Sequence, residues 1–197
     1  MVNISDKISC IEAADDPLSA DIGIIRNGSE TWLYDVGNGE KNISGLNGSY
    51  HIVLSHFHAD HTGNISRIRP ESLYVSNETY AHVHQGTIVN KDIHIGQLHI
   101  FPLPSSHTKG CVGLEVDETF AFVGDALYSK VKDDCYIYNA QLLCEEINVL
   151  SALRSPWLLV SHFPGMIRKR EDVIAELKAI YRLRDKNTME IKVKKGG

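Results

Sequence analysis

The sequence predicts a globular domain of the mixed α/β (α+β) class, with short strands in the first two thirds and helices in the last third. The prediction rests on short apolar runs that end at turn residues, on late segments with helical periodicity, and on a composition that can support a core. Hydrophobic residues make up 43% of the 197-residue chain and charged residues 23%, which is typical of a globular protein. We expect a chain of this length to form a single domain, 1–197.

The strands are predicted by apolar runs bounded by Gly, Pro, Asn or Asp. Asn27-Gly28 lies between two such runs and predicts a hairpin, and Asp117-Glu118 predicts a second one. The strands are expected at residues 8–11, 21–25, 31–36, 51–54, 73–76, 97–103, 111–116, 119–123 and 157–160.

Helices are expected at three places. Residues 78–84 are compatible with a short helix. Asn139 can cap a longer one, and the charges of Glu171 and Asp172 favour the start of the last one. The apolar faces of the two longer helices are Leu143, Ile147 and Leu150, and Val173, Leu177 and Ile180.

The composition restricts the class of protein. No run of about 18 apolar residues suggests a membrane span, and no secretory signal is visible at the N-terminus. The four cysteines show no C-x-x-C spacing, so we expect free thiols in a cytoplasmic protein. Net charge is −5, but residues 166–197 contain ten Lys/Arg and five Asp/Glu, which gives +5. This basic tail could contact an anionic partner or form a solvated helix face.

Residues 55–61, Ser-His-Phe-His-Ala-Asp-His, carry three of the ten histidines and one aspartate directly after an apolar run. Imidazole nitrogens and carboxylate oxygens are common ligands of divalent metals. In an extended segment His56 and His58 point the same way and can hold one ion. If the chain turns after His58, Asp60 and His61 project to a second point, so two adjacent metal ions are the natural interpretation.

Three further potential ligands follow apolar strands elsewhere in the chain. His107 comes after the strand at 97–103, Asp125 after the strand at 119–123, and His162 after the strand at 157–160. Loops at strand ends are where rigid scaffolds place ligands. Core packing does not explain four such positions, counting His56.

These residues resemble the metallo-β-lactamase superfamily. His56-x-His58-x-Asp60-His61 matches the H-x-H-x-D-H motif of that superfamily. The resemblance extends, in the expected order, to the segments around His107, Asp125 and His162 and to a D-x-G turn at Asp35-Val36-Gly37. It implies a four-layer αββα sandwich, metallo-β-lactamase-like, with metals at one edge of two sheets. Serines precede His107 and His162, where the loop geometry can therefore differ.

The resemblance also implies a ligand set. One metal would be held by His56, His58 and His107. The other would be held by Asp60, His61 and His162, with Asp125 bridging both. Two divalent ions are implied, most readily Zn²⁺, although iron and manganese accept the same ligands.

The preferred hypothesis is a metal-dependent hydrolase in which a bridging hydroxide attacks a small ester, thioester or lactone. Asp60 could relay the proton. Tyr128 resembles a tyrosine near the substrate carbonyl in homoserine-lactone hydrolases and could donate to the oxyanion, or it could be a packed aromatic. Lys109 could meet an anionic group or be solvated.

Two other hypotheses remain open. The first is a mononuclear iron oxidoreductase resembling persulfide dioxygenases, with iron held by His56, His107 and Asp125. The second is a non-catalytic, metal-stabilised module whose basic tail contacts nucleic acid, which the intact ligand set disfavours. The partner expected for the enzyme is a small-molecule substrate, with no membrane and no nucleic acid. His94, His99 and the remaining histidines lack a strand-end position and are interpreted as surface or core residues.

Overall fold

The computed structural model describes residues 1–185 and 187–195. It has four helices, α1 (Ala59–Thr62), α2 (Asn77–Val83), α3 (Ala140–Ala152) and α4 (Arg170–Arg182), and a 3₁₀ turn at Glu40–Ile43. The strands are β1 (Val2–Asn3), β2 (Ile8–Ile11), β3 (Ala14–Asp15), β4 (Leu18–Ser19), β5 (Ile22–Asn27), β6 (Glu30–Tyr34), β7 (Tyr50–Val53), β8 (Pro70–Val75), β9 (Thr87–Ile88), β10 (Ile93–Ile95), β11 (Leu98–Leu103), β12 (Cys111–Val116), β13 (Phe120–Gly124), β14 (Lys130–Lys132), β15 (Cys135–Asn139), β16 (Trp157–Val160), β17 (Ile167–Lys169) and β18 (Glu190–Lys194).

Two large sheets dominate the architecture. The first has seven strands in the order β1-β2-β5-β6-β7-β8-β9, and the second has six in the order β10-β11-β12-β13-β16-β17. The first sheet begins with antiparallel pairs and continues with parallel ones from β6 to β9. The second sheet is antiparallel except for the parallel pair β13–β16, which the antiparallel pair β16–β17 follows. The predicted hairpins β5–β6 and β12–β13 are confirmed.

The two sheets pack face to face. Alternate residues of β6 show this, because Trp32 and Tyr34 join a core with residues of the second sheet, whereas Leu33 joins the core on the outer face. This is the two-residue period of a strand buried on both sides. Gly23 allows the close approach, since a Cβ there would lie 2.4 Å from the Phe122 ring.

Helical layers cover both outer faces. Leu143, Ile147 and Leu150 of α3, with Val173 and Leu177 of α4, pack on the outer face of the second sheet, as the periodicity predicts. The outer face of the first sheet is covered more thinly, by α2, the 3₁₀ turn and the segment after α1. The predicted mixed α/β class with its αββα layers is therefore confirmed.

A third sheet was not predicted. It has the order β14-β15-β18, and its last strand is formed by the basic tail, in which Lys192 and Lys194 are exposed. The expectation of one strand in the last third was therefore wrong, as was that of a solvated helix face for these lysines. No helix among residues 1–185 and 187–195 is both long and apolar enough to cross a membrane.

One buried carboxyl group on α3, that of Glu146, has an oxygen without a hydrogen-bond partner among the described residues. Glu146 is 1% exposed, and its Oε1 makes no hydrogen bond within the described part of the chain. Burial raises the pKa of this carboxyl well above its ordinary value. The folded protein therefore holds Glu146 protonated at a pH where the unfolded chain ionises it.

Glu146→Met is expected to stabilise the protein by about 1–3 kcal/mol at neutral pH, because it removes a buried polar group without a partner. The gain should be smallest below pH 4.5, the ordinary pKa, and should increase as the pH rises above it, because only the unfolded wild-type chain then gains free energy by ionising. Urea unfolding at several pH values measures this. The control, Glu145→Gln on the same helix, should stay within about 0.5 kcal/mol of wild type; a gain independent of pH would contradict the explanation.

Candidate metal centre

The residues of the histidine motif lie between the end of β7 and the first turn of α1: His56 and His58 precede the helix, and Asp60 and His61 lie within it. The chain leaves β7 at Val53 and bends at Phe57, and His58 precedes the helix as its N-terminal flanking residue with φ −63° and ψ 145°. The turn after His58 that the sequence suggested is therefore the first turn of α1. It directs Asp60 and His61 away from the pair formed by His56 and His58.

The three distant residues come from the second sheet. His107 follows β11, Asp125 follows β13 directly, and His162 follows β16. Gly124 has φ +54°, and a Cβ there would lie 2.7 Å from the Cβ of Ser55, so only glycine lets Asp125 approach the motif this closely. The structure brings all seven predicted residues together at one edge of the two sheets.

The first group consists of His56, His58 and His107. The Nδ1 atom of His58 lies 2.9 Å from Nε2 of His56 and 3.1 Å from Nε2 of His107. Two ligands at about 2.0–2.1 Å from a tetrahedral ion are separated by about 3.3 Å. These three nitrogens therefore have nearly the separation that a shared ion requires.

The second group consists of Asp60, His61, Asp125 and His162. Nε2 of His162 lies 3.1 Å from Oδ2 of Asp60. Nε2 of His61 lies 3.5 Å from the same oxygen and 3.4 Å from Oδ2 of Asp125. These four side chains again place their ligand atoms around one point.

Asp125 faces both groups. Its Oδ2 lies 3.4 Å from Nε2 of His61 in the second group and 3.5 Å from Nε2 of His107 in the first. The carboxylate thus stands between the two sets of nitrogens, where a ligand shared by two ions would stand.

A buried carboxylate behind the motif orients the rings. Asp35, fully buried, accepts hydrogen bonds from the backbone N–H and the hydroxyl of Ser55, each at 2.7 Å, and from Nδ1 of His61 at 2.7 Å. Nδ1 of His56 lies 2.9 Å from the Ser55 hydroxyl. These bonds occupy Nδ1 of both rings and leave Nε2 facing the centre, which is how outer hydrogen bonds fix metal-binding histidines.

The polar atoms left without partners indicate what the centre accommodates. Nε2 of His61 and Oδ1 of Asp125 are buried and make no hydrogen bond to any residue the structure describes. Unsatisfied buried polar atoms reduce the stability of the folded state, and the carboxylates of Asp35, Asp60 and Asp125 all lie near His61. An ion of positive charge satisfies both atoms and compensates the carboxylates, so the donor set fits a divalent metal with nitrogen and oxygen ligands.

The two groups differ in their electrostatics. Burial lowers the pKa of His56, His58 and His107, so these rings are neutral. Burial also opposes the charging of His61, but Asp35 and Asp125 outweigh it and raise its pKa to about 10. The hydrogen bond to Asp60 raises the pKa of His162. Carboxylates therefore concentrate around the second group.

His162 has an unusual backbone. Its φ is +58°, a conformation that is strained for residues other than glycine. The backbone N–H of His162 donates to Oδ2 of Asp21 at 2.9 Å, and the N–H of Ser161 donates to the Gly124 carbonyl at 3.1 Å. These contacts hold the His162 ring against Asp60. Sequence reasoning missed Asp21 and Ser55, although the position of Ser55 between strand and motif was a usable signal.

Tyr128 lies beside the centre, and its ring centroid is 6.4 Å from that of His107. Its hydroxyl donates to the Ser161 carbonyl at 2.7 Å, and its ring packs on the core beneath α3. Burial and Asp125 raise its pKa to about 12. These contacts favour the packed interpretation over the oxyanion donor. Lys109 is exposed.

Tyr128→Phe is expected to lower the free energy of unfolding by about 1 kcal/mol, the usual contribution of one hydrogen bond. Turnover should change far less than the roughly 10²–10³-fold that follows removal of an oxyanion donor, because the hydroxyl is committed to Ser161. Steady-state kinetics and thermal unfolding measure the two effects. Tyr136→Phe removes an exposed hydroxyl as control. A fall in turnover as large as that of a lost oxyanion donor would restore the oxyanion role.

Comparison with solved structures identifies the fold. The chain is similar to the DIM-1 metallo-beta-lactamase (TM-score 0.70, 13% identity, 92% of this chain and 95% of that chain). It is also similar to the chemotaxis sensor ODP, solved as a peroxy diiron species (TM-score 0.67, 14% identity, 89% of this chain and 92% of that chain). A third similar structure is ETHE1 from Myxococcus xanthus (TM-score 0.59, 14% identity, 87% of this chain and 89% of that chain). No protein-family model and no curated protein matches the sequence. The chain thus has the fold of the metallo-β-lactamase superfamily, as its motifs predicted.

Proposed function

We propose that the protein is a metal-dependent hydrolase that holds two divalent ions, most readily zinc, and acts on a small ester, thioester or lactone. The single observation that carries the proposal is the pair of ligand groups that share Asp125. A centre with one metal ion needs only one of these ligand groups. A metal site that only stabilises the fold needs no ligand exposed to solvent. Here His58, Asp60, His107 and His162 remain partly exposed, so a substrate can reach the centre.

Each residue has a role in this proposal. His56, His58 and His107 would hold one ion, Asp60, His61 and His162 the other, and Asp125 would bind both. When bound, such ions lower the pKa of a water between them towards about 7 and polarise a substrate carbonyl. Burial opposes the ionisation of Asp60, but the hydrogen bond from His162 outweighs it and holds the pKa of Asp60 below its usual value. Asp60 is therefore ionised at neutral pH, which is the state in which a carboxylate binds metal; in this proposal it also relays the proton.

A cavity beside the centre supports a small substrate. It has a volume of about 390 Å³, and His162 forms part of its wall together with Phe163, Met166 and residues of the N-terminal segment. Pockets for small molecules start at about 300 Å³. Within the described ranges its lining includes Glu12, Asp15 and Asp21 and no lysine or arginine, which favours a neutral or cationic substrate over an anionic one.

An iron-dependent oxidoreductase is the second candidate. It is favoured by the similarity to a chemotaxis sensor solved as a peroxy diiron species and to ETHE1, and the same nitrogen and oxygen ligands accept iron. The mononuclear form needs only His56, His107 and Asp125. It leaves the buried Nε2 of His61 without a role, so two ions fit the site better than one.

The proposal is tested by metal analysis and turnover on the purified protein. We expect about two tightly bound ions per chain and hydrolysis of a panel of esters, thioesters and lactones that stops on chelation and returns with Zn²⁺. Neutral substrates should be preferred to anionic ones of equal size. Oxygen consumption with glutathione persulfide, without hydrolysis, would support the iron oxidoreductase instead. Fewer than one tightly bound ion per chain would contradict both dinuclear forms.

A further inference from the structure

A second cluster of histidines lies on another part of the second sheet, on the hairpin formed by β10 and β11. His94 and His99 are directly opposite each other in the register of these strands. Their rings stack with centroids 4.4 Å apart and 13° between the planes. Asp92, one residue before β10, adds a carboxylate. Sequence patterns do not separate these histidines from ordinary surface residues, because they do not reveal the register of a hairpin.

We propose that Asp92, His94 and His99 form a separate binding site for one divalent transition-metal ion of the zinc or copper type. The three side chains each offer a ligand atom, and these atoms all lie within 4.8 Å of one another. Nε2 of His99 lies 3.2 Å from Oδ2 of Asp92, close to the roughly 3.3 Å between two ligands of a tetrahedral ion.

His99 is oriented as a metal ligand. Oε2 of the buried Glu115 lies 3.2 Å from Nδ1 of His99. The other oxygen, Oε1, accepts hydrogen bonds from the backbone N–H groups of Arg154 and Ser155 and from the Ser155 hydroxyl. Because these donors fix Glu115, a proton on Nδ1 of His99 has a carboxylate acceptor, and Nε2, beside Asp92, is the ring nitrogen available to an ion.

An orphaned nitrogen also points to a ligand. Nε2 of His99 is buried and makes no hydrogen bond of acceptable geometry to a described residue. Histidines that bind metals characteristically combine such an unsatisfied nitrogen with a carboxylate behind the other one.

The surroundings favour a cation. The cluster lines a cleft of about 700 Å³ whose wall also carries Glu115, Asp117 and Glu118. Lys7 pairs with Asp117 and Arg154 with Glu118, whereas Asp92 has no lysine or arginine partner among the described residues and contacts only His99. Two imidazoles and one carboxylate suit zinc or copper, and the cleft leaves room for water or an external ligand at a fourth position.

Binding at this site would join the edge strand β10, three residues long, to β11. An ion that binds only the folded hairpin stabilises it by mass action. Because the site shares no residue with the central centre, its loss should leave hydrolysis and the two central ions unchanged. A failure of this second-site proposal can therefore be distinguished from a failure of the proposed function.

The test is calorimetric titration of Zn²⁺ into protein whose central centre is already loaded. Wild type should bind one further ion, and His94→Ala and Asp92→Asn should each weaken that binding at least about tenfold. The control is His84→Asn, which removes an exposed histidine at φ +55°, a conformation that asparagine tolerates. It should bind the ion as wild type does.

A spectroscopic arm identifies the ligands. Cu²⁺ added to the zinc-loaded protein should give an electron paramagnetic resonance spectrum with coupling to two nitrogens, and His94→Ala should reduce this to one. Equal binding of Zn²⁺ by wild type and His94→Ala, or no further ion in wild type, would overturn the proposal. Because His94 is exposed, its replacement should leave the core intact, which an unchanged far-ultraviolet circular dichroism spectrum of the variant would confirm.

Discussion

Asp125→Asn is expected to lose both metal ions, with affinity reduced at least about 100-fold at each group, since even residues that only orient ligands contribute about 10–100-fold. The reason is position: Oδ2 of Asp125 lies 3.4 Å from Nε2 of His61 and 3.5 Å from Nε2 of His107, so it serves both groups. Asparagine keeps the shape but removes the charge. Turnover should fall by a comparable factor, and metal analysis after dialysis measures the loss directly.

The matched control is His162→Ala. His162 contacts Asp60 in the second group only, so its replacement should loosen one ion and leave the ion of His56, His58 and His107 in place. Zinc content should then fall to about half that of wild type, whereas Asp125→Asn should approach zero. Equal loss of both ions in the two variants would count against the assignment of Asp125 as the shared ligand.

Asp35→Asn is expected to destabilise the metal-free protein by about 3 kcal/mol, in the range for removal of one partner from a buried charge pair. Asp35 and His61 are both fully buried, and the carboxylate is the partner of the His61 ring at 2.7 Å. Asparagine tolerates the φ of +62° at this position, so the change tests charge rather than backbone strain. Affinity for the ion of the second group should fall about 10–100-fold.

Glu115→Gln is the control for Asp35→Asn. Glu115 is another buried carboxylate with several hydrogen-bond donors, but it contacts none of the seven central residues. Its replacement should lower the free energy of unfolding and weaken the separate site at His99, while leaving the zinc affinity of the central centre unchanged. Denaturant unfolding and competition with a chromogenic chelator separate the two effects. A normal zinc affinity in Asp35→Asn would show that Asp35 does not position His61 for metal binding.

Much of the fold could be predicted because its signals are local. The hairpin β5–β6 follows from the Asn27-Gly28 turn between apolar runs, and Asn139 caps α3 by accepting from the N–H of Leu142. The third sheet could not be predicted, because β15 pairs with β18, whose residues lie some fifty positions further along. The strands β14 and β18 each carry two lysines and are mostly exposed, so neither presents an apolar run. The alternation of polar and apolar residues in β18 was the signal that could have indicated it.

The candidate site was predictable for a related reason. The motif residues His56 to His61 are adjacent in sequence, and the distant ones each follow a recognisable strand. The orientation of the rings was not, since the hydrogen bonds of Asp35 and Ser55 depend on the packing of three separate segments. The same limit applies to His94 and His99, which become neighbours only through the register of β10 and β11.

The central claim is that seven side chains hold two ions, and anomalous X-ray diffraction from crystals of the purified protein tests it most directly. Data at the zinc and iron absorption edges should show two peaks and identify the metal. One peak should lie about 2.0–2.2 Å from nitrogens of His56, His58 and His107, and the other at the same distance from Asp60, His61 and His162, with Asp125 reaching both. A single peak, or peaks away from these residues, would contradict the dinuclear centre.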